Sequence, residues 1–322
     1  METGRALAGP LLSGILERIA REAGAEAIAV AYHDYRTRTE WSFNGDESFH
    51  AASTMKVAVL IAISCAIAEG RFEPESRVHV RNRFLSAADG TPFRIDAGRD
   101  ADAQVHTRVG RTMRIRDLAH HMIVTSSNLA TNLLVDLVGL DEIQHALREM
   151  GLDSGIEVHR GVEDDHAFEQ GISNRVTARG LLQAFRLIEE RRACSAAASE
   201  WMLEELSAQE FNSGIPAGLP SEARVAHKTG EISTIAHDAG VVYLPGREPY
   251  VLVVLTRWAP ERGRRQETIA RLAGAVHEYL TAAEEAGASP PSPGTAAERS
   301  YAMEAAPDPG GGQRGLEATS HG

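Results

Sequence analysis

From Ser53 to Ala68 the chain reads Ser-Thr-Met-Lys-Val-Ala-Val-Leu-Ile-Ala-Ile-Ser-Cys-Ala-Ile-Ala, apolar on nearly every side once wound into a helix. A helix of that kind has no face to give to water. Other elements must surround it, so the chain needs packed layers on all its sides.

The rest of the sequence supplies them. Leu12, Ile15, Leu16 and Ile19 recur at helical spacing within 11–23, with charged residues between. Ala27 to Tyr32 reads as a buried strand, and Thr37 to Phe43 as a second, ended by Asn44-Gly45. Beyond the apolar helix, 115–124, 128–138, 141–150, 177–190 and 199–206 carry helical patterns. Residues 81–110 and 151–174 are polar connections, and loops of such length inside a domain are often functional. Strands return at 224–228, 239–244 and 250–256, with Lys228-Thr229-Gly230 ending the first and Pro245-Gly246 as a hairpin turn. A helix over 264–283 follows.

This order predicts an α+β fold. Strands from both ends join one antiparallel sheet with flanking terminal helices, and an all-helical lobe is inserted between them. The expected division is a catalytic domain over 10–286, with its α/β lobe from 10–49 and 215–286 and its helical lobe from 50–214. The Pro-, Gly- and Ser-rich stretch 287–322 reads as a disordered tail.

Composition excludes several classes of function. A formal net charge of −12 argues against nucleic-acid binding. No stretch has the run of about 20 apolar residues that spans a bilayer. The start, Met1-Glu2-Thr3-Gly4-Arg5, lacks a basic segment followed by an apolar one, so the expectation is a cytoplasmic protein, or an exported one whose leader has been trimmed. The two cysteines, Cys65 and Cys194, read as buried free thiols. No histidine spacing suggests a metal site, and no cofactor is expected. A small-molecule, peptide or ester substrate and a monomeric state complete the expectation.

Three short motifs carry the chemistry. Ser53 at a helix start has a backbone N–H aimed outward and a dipole that favours negative charge. Lys56, three residues on, shares its face and, in a partly dry site, can take the serine proton. In Ser126-Ser127-Asn128, Ser126 can relay a proton to a leaving amine and Asn128 can donate to a substrate carbonyl. Ser127 reads equally well as a helix cap. In Lys228-Thr229-Gly230, the lysine and threonine suit a substrate carboxylate. The glycine allows close approach, and the N–H of Glu231 would be a second oxyanion donor beside that of Ser53.

On these motifs the chain resembles the class A β-lactamases and penicillin-binding serine hydrolases over about residues 10–285. Ser126 to Leu134 is similar to the family's Ser-Asp-Asn helix, with Asn132 as its second asparagine, and Asp238 to Gly246 is similar to its hairpin. The resemblance implies a β-lactamase/transpeptidase-like fold, acylation at Ser53 and no metal. It also exposes departures. Ser127 stands where the family has aspartate. The omega-loop Glu-x-x-Leu-Asn segment is missing, leaving Glu163, with Asp164 behind it, as the nearest base for deacylation. The carboxylate-binding arginine of many members is replaced by Ala236, with His237 beside it. The leading expectation is a β-lactamase acting through a Ser53 acyl-enzyme. The alternatives are a penicillin-binding-type peptidase or esterase that deacylates slowly, and a sensor that uses acylation as a switch.

Overall fold

The computed structural model describes residues 8–260 and 263–285; the stretch read as a tail, 287–322, lies outside them. Helix α1 (Ala8–Ala23) leads into β1 (Ala27–Asp34) and β2 (Thr39–Phe43). A short 3₁₀ turn, Ala52–Met55, precedes α2 (Lys56–Ala68). The helices α3 (Ile115–Val124), α4 (Asn128–Val138), α5 (Leu140–Glu149), α6 (Ala178–Glu189) and α7 (Ala196–Ser207) follow. Strands β3 (Arg224–Ile232), β4 (Ile235–Tyr243) and β5 (Tyr250–Arg257) and helix α8 (Arg265–Glu285) complete the order.

The five strands form one antiparallel sheet in the order β3-β4-β5-β1-β2, so the two ends of the chain meet where β1 pairs with β5. This is the sheet that the strand positions predict. Both of its faces are covered, which is why β1 and β5 are apolar at nearly every position. Ala29, Ala31, Val251, Val253 and Leu255 belong to the core shared with α2 and α6. Ile28, Val30, Tyr32, Leu252 and Val254 belong to a second core with Leu12 and Leu16 of α1 and Leu272 and Val276 of α8. Every residue of α2 from Lys56 to Ala66 is buried, enclosed by α3, α4, α5 and α7. Burial of that many aliphatic side chains, at about 1.5–3 kcal/mol each, makes α2 the fixed post of the molecule.

Three local expectations need correction. Ser53 does not open the α-helix. It sits in the 3₁₀ turn before it, entered through Ala52 in a left-handed conformation at φ 45°. Lys228-Thr229-Gly230 does not end its strand, because β3 runs on to Ile232 and turns tightly into β4, with Ile232 paired to Ile235. The cysteines are not free: Cys65 of α2 and Cys194, just before α7, form a disulfide across a sequence separation of 129 residues. No local pattern announces a bond between residues so far apart. It exists because α2 and α7 pack side by side. The stretch 81–110 is also less plain than it reads: it holds a short helix, Ala103–His106, and the small strand pair Phe84–Leu85 with Pro92–Phe93, and it is closed at its two ends by the pairing of Arg77–His79 with Thr112–Arg114.

Candidate active site

The turn that carries Ser53 is held from several directions. His50 Nδ1 accepts from the N–H of Ala52 at 3.0 Å, and Thr54 Oγ1 donates to the Ala51 carbonyl at 2.6 Å. The Ala51 N–H donates to the carbonyl of Asn174, at 2.9 Å. The fully buried His237 donates from Nε2 to the His50 carbonyl at 3.0 Å and accepts at Nδ1 from the Thr256 N–H at 3.1 Å. Burial lowers both His50 and His237 to about 4, so both rings are neutral and able to accept. His237 therefore props the nucleophile turn from strand β4 of the sheet. Neither it nor the buried Ala236 replaces a substrate-binding arginine.

Gly230 stands against this turn. A Cβ at that position would lie 3.1 Å from the Ser53 nitrogen and 3.0 Å from the Thr54 nitrogen. Any side chain would crowd the N–H that an oxyanion needs, so the third motif is spatially part of the first. Glu231 follows with its carboxylate turned outward, accepting from Gln266 Nε2 at 2.7 Å. That leaves its backbone as the part of the residue relevant to the site.

Lys56 and Lys228 are both fully buried and meet at one hydroxyl. Lys56 Nζ donates to Ser126 Oγ at 3.1 Å, to the Ser126 carbonyl at 2.7 Å and to Asn128 Oδ1 at 2.9 Å. Lys228 Nζ donates to the same Ser126 Oγ at 3.0 Å and to the Thr229 carbonyl at 3.0 Å. Ser126 reaches both because it is left-handed, at φ 58°. Burial first, and then the charge of Lys228, push the Lys56 amine well below the usual lysine range, while Asp100 and Glu163 pull the other way. Burial lowers Lys228 to about 7 against the opposing pull of Asp238. That carboxylate is itself buried and bonded to His227 Nδ1 at 2.8 Å.

The loop over 158–175 brings Glu163 to the same place. Glu163 Oε1 accepts from Asn128 Nδ2 at 2.8 Å, and Oε2 accepts from the Asp96 N–H at 3.2 Å. Asn132 fixes its register with two bonds to Val162, one to the carbonyl at 2.9 Å and one from the N–H at 2.8 Å. A Cβ on Gly161 would come within 2.9 Å of Asn132 Oδ1, so the loop can lie this close to α4 only without a side chain there. The loop's neck is closed by Asn174, whose side chain bonds the N–H groups of His159 and Arg160 and the carbonyl of Arg160. Asp164 is turned away from the lysines. It caps the short helix Asp165–Glu169 and accepts from the Ala87 N–H at 2.8 Å.

The structure thus places Lys56, Ser126, Asn128, Glu163, Lys228 and Gly230 in one connected site beside the Ser53 turn. Three of the seven non-glycine residues at positive φ among the described residues, Ala52, Ser126 and Glu163, belong to it, and strain of this kind gathers at functional sites. Sequence reasoning passed over Asn174 and Asp100. Asp100 accepts from the N–H groups of Asn128 and Leu129 at 2.9 and 3.0 Å and from Ser127 Oγ at 3.3 Å. The signal for it was slight, a lone aspartate in a polar loop. Ser127 caps α4 by accepting from the Ala130 N–H, which the sequence had allowed.

A mixed fold with its serine, lysine pair and amide at the junction of sheet and helices defines an active-site-serine enzyme of the β-lactamase/transpeptidase-like class. A model of the beta-lactamase enzyme family matches residues 12–280, and the chain belongs to that family. It is 26% identical over 282 residues to a beta-lactamase of Streptomyces fradiae, covering 85% of this chain and 87% of the relative. It is 27% identical over 291 residues to one of Kitasatospora aureofaciens, covering 87% of this chain and 88% of the relative. Among solved structures it superposes on an ancestral class A β-lactamase with a TM-score of 0.72 at 25% identity, covering 83% of this chain and 99% of that one. Its fold also matches that of PBP-A, with a TM-score of 0.72 at 24% identity, covering 85% of this chain and 96% of that one.

Proposed function

We propose that this protein hydrolyses β-lactams through an acyl-enzyme on Ser53. The observation that carries the reading is the convergence of two buried lysines on Ser126 Oγ, with Asn128 joining Lys56 to Glu163. Ser53 Oγ attacks the lactam carbonyl carbon and its proton passes to Lys56 in the neutral form that burial favours; that form donates only two of the three bonds at Nζ, which frees its lone pair for the Ser53 proton. The N–H groups of Ser53 and Glu231 receive the oxyanion. The amine proton then moves through Ser126 to the lactam nitrogen as the C–N bond breaks. Lys228 and Thr229 take the substrate carboxylate, and Asn128 donates to the side-chain amide.

Deacylation needs a water and a base. Glu163 is the carboxylate aimed at the site. It takes the water's proton, the hydroxide attacks the ester carbonyl, and Ser53 leaves with a proton returned through Lys56. This placement favours turnover over a persistent acyl-enzyme, so the absent omega-loop motif does not by itself argue for a slow penicillin-binding protein. A variant of PBP-A has been solved as an acyl-enzyme complex with penicillin G, and it shares this fold at a TM-score of 0.71 and 24% identity, covering 85% of this chain and 97% of that one. That supports a penicillin as the first probe.

Disulfides persist in oxidising compartments, so the Cys65–Cys194 bond favours a place of action outside the cytoplasm. A monomer is the working expectation. The test is a time course with one penicillin followed by intact mass. The reading requires an adduct on Ser53 that forms and then disappears as product accumulates. No adduct on the wild-type chain would end it.

A further inference from the structure

The middle motif of this chain has a serine at 127, yet a carboxylate still stands at the start of α4. It comes from a different segment. Asp100 lies in the connection before the short helix Ala103–His106, and its side chain is fully buried. Five donors converge on it. Oδ1 accepts from the N–H of Asn128 at 2.9 Å and of Asp102 at 3.3 Å. Oδ2 accepts from the N–H of Leu129 at 3.0 Å, from Ser127 Oγ at 3.3 Å and from His106 Nε2 at 2.9 Å.

Three of these donors belong to Ser127, Asn128 and Leu129, the residues that follow Ser126. Ser126 must stay left-handed for its carbonyl and hydroxyl both to meet Lys56, and Asn128 must present Oδ1 to the same amine. A carboxylate that grips the next three residues fixes both conditions. It also complements the N-terminal dipole of an 11-residue helix.

We propose that Asp100 is the positioning carboxylate of this active site, standing in from a neighbouring loop for the aspartate that the motif lacks at 127. It touches no substrate. It acts through Ser126 and Asn128 on Lys56, and its negative charge faces that amine. The proposal rests on the acyl-enzyme reading given above and names a residue which that reading does not need.

The charges facing Lys56 are Lys228 from β3, Glu163 from the 158–175 loop and Asp100 itself; His106 faces Asp100 from the short helix. Asp100→Asn leaves the other charges in place and keeps the side chain's shape. Its expected effect is a fall in acylation rate of about tenfold to a hundredfold, the scale of a slight misplacement of reacting groups, with little change in KM. Losing a negative charge also makes protonated Lys56 less favoured, so the acid limb of kcat/KM moves to lower pH. A residue that only capped the helix would lower Tm and leave that limb in place.

The second measurement is a transplant. Ser127 Oγ lies 3.3 Å from the Asp100 carboxylate, so Ser127→Asp in an Asp100→Ala background returns a carboxylate to the same donors. Recovery of most of the lost acylation rate supports the proposal. Two results overturn it: wild-type rate and pH limb in Asp100→Asn, or no recovery in a double variant that is folded by thermal melt. If Asp100→Ala alone does not fold, the pH limb of Asp100→Asn decides. Penicillin labelling of the wild-type chain separates this failure from that of the underlying reading: labelled wild type with indifferent variants sinks only the role of Asp100.

Discussion

The two halves of the catalytic cycle are built from different material. The acylating half, with Ser53, Lys56 and Ser126, stands at the ends of buried regular elements, α2 and α4, inside an apolar core. The deacylating half, Glu163, hangs on an irregular loop whose ends are pinned by the two-residue strand pair Ile156–Glu157 with Arg175–Val176. Its position comes from side-chain bonds to backbone by Asn132 and Asn174. The first half is stabilised by hydrophobic burial spread over many residues, the second by a few hydrogen bonds that each contribute about 1 kcal/mol. The rate of acylation should therefore tolerate peripheral change, and the rate of deacylation should not.

The largest test is at the shared centre. Ser53→Ala removes the nucleophile of both halves, so covalent labelling by a fluorescent penicillin and turnover of nitrocefin should both vanish. Retained turnover would break the comparison at its root. Glu163→Gln should separate the halves. Acylation continues, while deacylation slows by about 10²–10⁴-fold, the usual worth of a general base, so the adduct accumulates in intact-mass spectra. An adduct that clears at the wild-type rate would show that another group activates the water.

Asn132→Ala sharpens the point without touching the base. It removes both bonds to Val162 and should loosen the loop by about 1–3 kcal/mol. Single-turnover kinetics should find deacylation slowed more than acylation; equal slowing would mean that α4 itself had shifted. A smaller effect follows from Lys228. With a value of about 7, it is charged below neutrality and loses its charge as pH rises through that point. KM for an anionic penicillin should climb above pH 7, several-fold per unit. Because the unfolded lysine titrates near 10.4, unfolding takes up a proton between these values, so this group's contribution makes the chain more stable as pH rises across that window.

The mildest test is at the far end of α2. Replacing Cys65 and Cys194 together with alanine should lower stability by about 2–4 kcal/mol and leave kcat nearly unchanged, since the bond tethers a helix that its packing already holds. A collapse of acylation in a folded variant would show that burial alone does not fix the nucleophile helix.

The sequence was informative where the physics is local. The apolar run after Lys56 required a buried helix. The motifs around Ser53, Ser126 and Lys228 named a nucleophile, a base and a clamp, because such chemistry demands those side chains. The strand patterns at both ends pointed to one antiparallel sheet, and the structure decided that β1 pairs with β5 within it. It was weaker wherever a residue's task depends on a partner far along the chain. Glu163 was the nearer candidate base in the sequence with Asp164 behind it, and one bond from Asn128 and one from Ala87 point the two in opposite directions. His237 stands in sequence where a substrate ligand was sought, and burial against Thr256 and His50 makes it a prop instead.

What the amino acids dictated by themselves was the inventory of the site and the layers that carry it, since hydrophobic period and side-chain chemistry are properties of short stretches. Tertiary structure alone decided that Cys65 finds Cys194, that Gly230 lies on the Ser53 turn, and that a buried Asp100 reaches across to the start of α4. Each of those is a meeting between residues 28 to 177 positions apart by the numbering, and short-range pattern holds no record of which distant groups close packing will bring into contact.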